Sequence, residues 1–193
     1  YQGDPIGSGV YSDVTTFSFH PVKSITTGEG GMALTNDQEI AHKMILLRSH
    51  GITRDPERMT KTPDGPWFNE QIDLGYNYRM TEIQAALGNS QLKRLDQYIS
   101  KRTDIANLYR DKLQHLPLKF QEIKENYHSS NPLFVIRLKL DKLKKTHLEI
   151  FNELLNCGIG VNLHYMPVYK HHFFKKFIFL DNNFEESEKY YQE

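Results

Sequence analysis

The sequence predicts an α/β fold, with two parts joined by a long helix. Three observations predict it. Two strand-like runs, residues 14–19 and 31–35, flank a lysine and a glycine-rich loop. Apolar residues then recur at threes and fours from Ile83 to Leu116. After Pro117 a strand–helix–strand pattern follows, with a final helix over residues 185–193. These mark out residues 1–80 as part of a larger domain, 81–116 as a connecting helix and 117–193 as a small α/β domain.

Each element has a local reason. Residues 14–19 are β-branched and aromatic and follow the turn pair Ser12-Asp13. Met32 and Leu34 share one face of the second strand. The segment between the two strands is too long for a tight hairpin, so it is read as an ordered loop. Asn36 or Asp37 caps a helix over 38–49, with Ile40, Met44, Ile45 and Leu47 at helical spacing and Gly51 just beyond its end. Residues 52–75 hold Pro56, Pro63, Gly65, Pro66 and Gly75 and read as one long loop. Thr81, with Glu82 beside it, caps the long helix, which is either one rod or two with a bend. Residues 133–140 alternate as a strand, and 142–156 form an amphipathic helix that Gly158 ends. Residues 159–163 supply a further strand.

Bulk properties exclude several function classes. The chain has 193 residues, 38% apolar and 25% charged, which permits a packed core and argues against disorder. Lys plus Arg is 24 and Asp plus Glu is 24, so no net charge favours nucleic acid. No apolar run approaches the about 20 residues of a membrane-spanning helix. Cys157 is the only cysteine, so no intrachain disulfide can form, and a reducing cytoplasm fits. The absence of an initiator Met suggests a piece of a longer protein.

Lys23 is the residue with the most chemistry to offer. Partial burial in a tight loop disfavours the ammonium form. A neutral amine can attack a carbonyl and form a Schiff base. Gly28, Gly30 and Gly31 would let backbone approach a ligand, and the Ser18 hydroxyl at a strand end could meet a phosphate. The glycines match neither the dinucleotide fingerprint nor the P-loop. From these residues alone the default is an ordinary solvated lysine.

Longer motifs point further. FSFHPVKSITTGEGGMALTND (17–37), RSHGI (48–52), LGYNYRMTEIQAALGNSQLKRLD (74–96) and GIGVNLHYMPVY (158–169) occur in that order. Together they resemble the DegT/DnrJ/EryC1/StrS sugar aminotransferases. The resemblance implies the fold of the type I pyridoxal phosphate (PLP) transferases, here the later part of the large domain and most of the small one. It implies that Lys23 joins PLP as a Schiff base, that Ser18 binds the cofactor phosphate and that Asn77 reaches that phosphate from a neighbouring subunit, so that the enzyme works as a homodimer. Asn162, Leu163, His164 and Tyr165 resemble a strand end that contacts a nucleotide sugar, with Arg79 close by. The stretch around Trp67 and the HYMPVY segment are most like the pseudaminic acid branch. Its members aminate C4 of a UDP-linked 4-keto-6-deoxy HexNAc sugar, with an amino acid, here expected to be glutamate, as donor.

Plainer readings stand beside these. His164 could be a core histidine, Asn77 a turn residue, and Trp67 an aromatic tucked under a loop. Cys157 reads as helix-end packing. His164, His171 and His172 lack the paired spacing of a zinc site, so no metal is expected. Two other functions are open. A dehydratase on the same scaffold typically carries histidine at the lysine position, which Lys23 argues against. A truncated, inactive interaction module is the other, because the family's aspartate for the pyridine nitrogen and its ring-stacking aromatic precede this segment. On that ground the 193 residues alone are expected to be inactive.

Overall fold

A computed structural model of the chain describes residues 1–177 and 184–193. It divides into two compact units: one of Tyr1–Thr103 with Ile123–Pro132, the other of Asp104–Glu122 with Leu133–Glu193. The predicted small-domain span, 117–193, includes residues 178–183, which lie outside the described residues.

In the first unit, β1 (Thr15–Ser18) pairs antiparallel with β2 (Gly31–Leu34), and Ser18 stands opposite Gly31. This pairing explains Gly31, because a Cβ there would come within 2.6 Å of the Phe17 carbonyl oxygen. Helix α1 (Gln38–Arg48) starts at Asp37, whose carboxylate accepts the Ile40 N–H at 2.9 Å. His50 and Gly51 both take left-handed φ, +64° and +68°, after the α1 end, and the Gly51 N–H returns to the Leu46 carbonyl at 2.9 Å.

The long loop is not wholly irregular. β3 (Ile52–Thr53) pairs with β4 (Glu70–Gln71), a two-residue ladder that the sequence reading missed. Pairs this short carry no periodicity to read; only the partner strand makes them strands. Glu70 also grips the loop between them. Its carboxylate accepts the Thr60 N–H at 2.7 Å, the Thr60 hydroxyl and the Lys61 N–H at 3.3 Å, and the Thr60 hydroxyl above all lowers its pKa.

The long helical repeat is two helices, α2 (Glu82–Leu92) and α3 (Leu95–Leu113), and the division between the units falls inside α3. The apolar stripe of α2 faces outward in this chain, with Ile83 84% exposed.

In the second unit, β5 (Leu118–Phe120) pairs antiparallel with β6 (Ile136–Leu138). The strand expected over 133–140 is therefore shorter, because a 3-10 turn takes over at Leu140–Lys142. Lys119 and Arg137 stand directly opposite each other, and such like charges repel. Glu193 relieves this, with Lys119 Nζ at 3.1 Å and Arg137 Nη2 at 2.6 Å from its carboxylate. Tyr109, Phe120 and Phe134 pack together, with ring centroids 5.0 and 5.8 Å apart, while Ala106 and Leu138 are buried.

Helix α4 (His147–Asn156) begins five residues later than expected. Thr146 and Glu149 close a capping box there, and the extended backbone of Thr146 cannot continue a helix toward Lys142. Cys157 does sit at the α4 end, but it is exposed rather than packed. The strand expected over 159–163 does not form. Leu138, on β6, gives its N–H to the carbonyl of Glu193, the residue after the last helix, α5 (Glu185–Gln192), at 2.7 Å. Residues 159–163 run as irregular chain, with no strand partner among the described residues. No helix among the described residues is long and apolar enough to cross a membrane.

Candidate active site

Lys23 lies in a loop that leaves β1 at Ser18 and enters β2 at Gly31. The loop is pinned at its neck. The Phe19 carbonyl accepts the Thr27 N–H at 3.1 Å and the Thr26 hydroxyl at 2.9 Å, and the Phe19 N–H donates to Gly30 at 2.9 Å. Inside the neck, the Lys23 N–H donates to the His20 carbonyl at 2.9 Å, and the His20 N–H donates to Ser18 Oγ at 3.3 Å. A short hydrogen-bonded path thus connects the backbone of Lys23 to the hydroxyl of Ser18.

The anchor is Thr27, 3% exposed, which the sequence reading passed over. Its hydroxyl donates to the Glu29 carbonyl at 2.7 Å. Its methyl lies where a Cβ on Gly88 would come within 2.9 Å, so the small residue in α2 admits the threonine. A threonine just before a glycine-rich turn gives no periodic signal of burial.

Lys23 itself is exposed, against the partial burial expected. The physical reason is that a two-stranded pair and one loop cannot enclose a side chain from all sides. Ser18 is exposed as well.

RSHGI and LGYNYR, distant in sequence, are joined in space. Ser49 and Asn77 form an antiparallel bridge. The His50 N–H donates to Tyr76 at 2.8 Å, Tyr76 N–H to Leu47 at 2.7 Å and Tyr78 N–H to Arg48 at 2.9 Å. Asn77 is thereby fixed by its backbone while its side chain stays exposed. Arg79 extends its guanidinium to His50 Nε2 at 3.4 Å, and the rings of Tyr76 and Tyr78 stack at 4.8 Å. His50, not singled out from the sequence, is thus the link between the two motifs. Trp67 is exposed, with its ring against Gly65.

The other predicted residues belong to the second unit. Asn162 accepts the Leu163 N–H on its own Oδ1 at 2.9 Å and is exposed. Leu163 and His164 are half-buried. The His164 and Tyr165 rings lie 4.3 Å apart. Tyr165 also borders an open cleft of about 410 Å³, with Pro167, Val168, Tyr169, Phe184 and Tyr190 among its walls. In that wall the Tyr169 hydroxyl donates to Glu188 Oε1 at 2.8 Å, and Lys170 Nζ pairs with Oε2 of the same carboxylate. Desolvation and the hydrogen bond to Glu188 push Tyr169 up to about 12, while Lys170 and then Tyr169 hold Glu188 below the usual carboxylate range.

The donor set of the first unit fits PLP. Among the described residues the Lys23 amine has neither an ion pair nor a hydrogen bond, so no side chain competes with a ligand for it. Ser18 Oγ accepts from His20, which leaves its proton available to a phosphate oxygen.

Comparison with known proteins gives a consistent result. The model of the DegT/DnrJ/EryC1/StrS aminotransferase family matches residues 1–193. A UDP-4-amino-4,6-dideoxy-N-acetyl-beta-L-altrosamine transaminase of Campylobacter jejuni is 41% identical over 180 residues, 92% of this chain and 44% of that protein. The solved structure of Helicobacter pylori PseC, an aminotransferase of pseudaminic acid biosynthesis, superposes with a TM-score of 0.84 at 32% identity, covering 100% of this chain and 48% of PseC. The Streptococcus pneumoniae protein Spr1654 in its PLP-form superposes at 0.83 with 28% identity, covering 100% and 47%. The chain spans about half the length of the curated relatives it matches.

Proposed function

Because this chain belongs to the DegT/DnrJ/EryC1/StrS aminotransferase family, we propose that it serves a PLP-dependent transamination of a UDP-linked 4-keto-6-deoxy HexNAc sugar, with glutamate as the amino donor, on a route to pseudaminic acid or a related surface glycan. The observation that carries the reading is the lysine loop. An unpaired amine and a hydroxyl with a free proton are tied together by the backbone path from Ser18 through His20 to Lys23.

When bound, PLP supplies the electron sink for the carbanion chemistry of transamination. The residues of this chain do the rest. Ser18 Oγ, which accepts from the His20 N–H, would donate its proton to a phosphate oxygen. Lys23 Nζ would hold the cofactor covalently and would serve as the base, then the acid, that moves a proton. A positioned acid–base of this kind contributes about 10²–10⁴ in rate. Asn77, held rigid by the Ser49 bridge, offers its carboxamide to the phosphate of a second copy's site. Arg79, Asn162, Leu163, His164 and Tyr165 contact the nucleotide sugar. The exposed stripe of α2 and the exposed Lys23 both fit a site completed by surfaces beyond these residues, including a second subunit. A cytoplasmic location belongs to the same reading.

The test is direct. Full-length protein is incubated with PLP, glutamate and the UDP-4-keto sugar, and the product is weighed by mass spectrometry. A 4-amino sugar with matching 2-oxoglutarate supports the proposal. A deoxygenated sugar makes the protein a dehydratase, and no product with any keto sugar makes it an interaction module. We expect residues 1–193 alone to be inactive, since they leave Lys23 open to water; measurable turnover by that piece refutes this.

A further inference from the structure

We propose that Gln84 is a positioning residue for Lys23, locking the lysine loop to the start of α2. Only the function of Lys23 in this statement rests on the reading above. The lock itself rests on hydrogen bonds.

Gln84 uses both ends of its carboxamide. Oε1 accepts the Thr81 N–H at 2.9 Å and the Thr81 hydroxyl at 3.1 Å, which closes the α2 capping box. Nε2 donates to the Glu29 carbonyl at 3.0 Å, 55 residues away in sequence. The orientation is forced: turned over, the amide would set N–H against the Thr81 N–H and oxygen against the Glu29 carbonyl. The Glu29 oxygen has two lone pairs, and Thr27 Oγ1 fills the other at 2.7 Å.

The consequence runs to the lysine. Glu29 lies between the Thr27 that closes the neck and the Gly30 that receives the Phe19 N–H. Fixing the Glu29 carbonyl therefore fixes both strands of the neck, and the neck holds the turn bearing Lys23. An ordinary capping box requires only an acceptor at Gln84, so a glutamate would serve the helix equally well. The loop requires a donor as well, and glutamate has none when ionised. The choice of glutamine is thus explained by the loop and not by the helix.

The same difference separates the two roles by experiment. Gln84→Glu keeps the capping box and places a negative charge in the first turn, where the helix dipole favours it. In full-length protein stripped of PLP, hydrogen exchange of residues 19–28 is expected to rise about five- to tenfold, the equivalent of one lost hydrogen bond. Exchange of residues 85–92 should not change. Thr27→Val removes the other donor to Glu29 and should loosen the same segment. On reloading, both variants should need several-fold more PLP for half-saturation. Unchanged loop exchange in both variants overturns the proposal, and so does a parallel rise in α2, which would make Gln84 a cap only. The premise is checked separately in wild-type protein: borohydride should fix PLP on Lys23, and its failure to do so sinks the functional reading whatever the exchange shows.

Discussion

Gly75 lies directly on the backbone of His50 and Gly51, so close that a Cβ at Gly75 would overlap the Gly51 nitrogen. A Cβ at Gly51 would likewise overlap the carbonyl of Asp73. The two motifs, RSHGI and LGYNYR, therefore cross where neither has a side chain, and that crossing holds Asn77 and Arg79 in place.

Gly51→Ala should accordingly be costly. It combines left-handed φ with a backbone overlap, and we expect a loss of at least about 2 kcal/mol in unfolding free energy. Urea denaturation followed by circular dichroism measures it. A loss below the error of that experiment would mean that the crossing relaxes freely.

Lys23→Arg keeps the positive charge but offers no amine able to condense with an aldehyde. Full-length protein with this change should lose the yellow absorbance of covalently held PLP and at least about 10²-fold in transamination rate. Colour and rate close to wild type would remove Lys23 from the chemistry.

Tyr169 and Glu188 give the second unit a stability that depends on pH. Glu188 is held below its ordinary value, so its contribution is present at neutral pH and fades as pH falls through that lowered pKa. Tyr169 is raised from 10.0 to about 12, so its contribution is complete below pH 10.0 and is lost as pH climbs toward about 12. Tyr169→Phe should flatten the alkaline limb and leave less protection of Glu188 in acid. Thermal melts across the pH range test this, and an unchanged alkaline limb would show that Tyr169 does not titrate there.

Thr146→Ala removes the hydroxyl that caps α4 and accepts the Glu149 N–H at 3.3 Å. The expected cost is about 1 kcal/mol. Glu149 is lowered first by the Thr146 backbone N–H, which the substitution retains, and then by the Thr146 hydroxyl, which it removes, so its acid sensitivity should weaken without vanishing. Urea titrations of both proteins at neutral and acid pH compare the two effects.

How much was legible can be traced residue by residue. Asp37, Thr81 and Gly51 announced the ends of α1 and α2 because capping is a local event, settled within four residues. The four ordered motifs identified the family because they carry identity as well as pattern. The break near Lys93 was left open, since the apolar repeat runs on through it. The β3–β4 and β5–β6 pairs were unread in whole or in part, and a strand was expected over 159–163 where none forms. A strand is completed by its partner, and a run of three apolar residues does not say whether one will be there.

By itself, then, the sequence determined where α1 and α2 begin, the two strands around Lys23 and the family that the motifs mark, because these depend on neighbours along the chain. Only tertiary structure decided that Thr27 is the buried anchor, that Gln84 reaches Glu29, that Gly51 and Gly75 cross, and that Lys23 stands open. Each of those depends on which distant backbone comes within hydrogen-bond or van der Waals range, and such contacts follow from packing rather than from the order of residues.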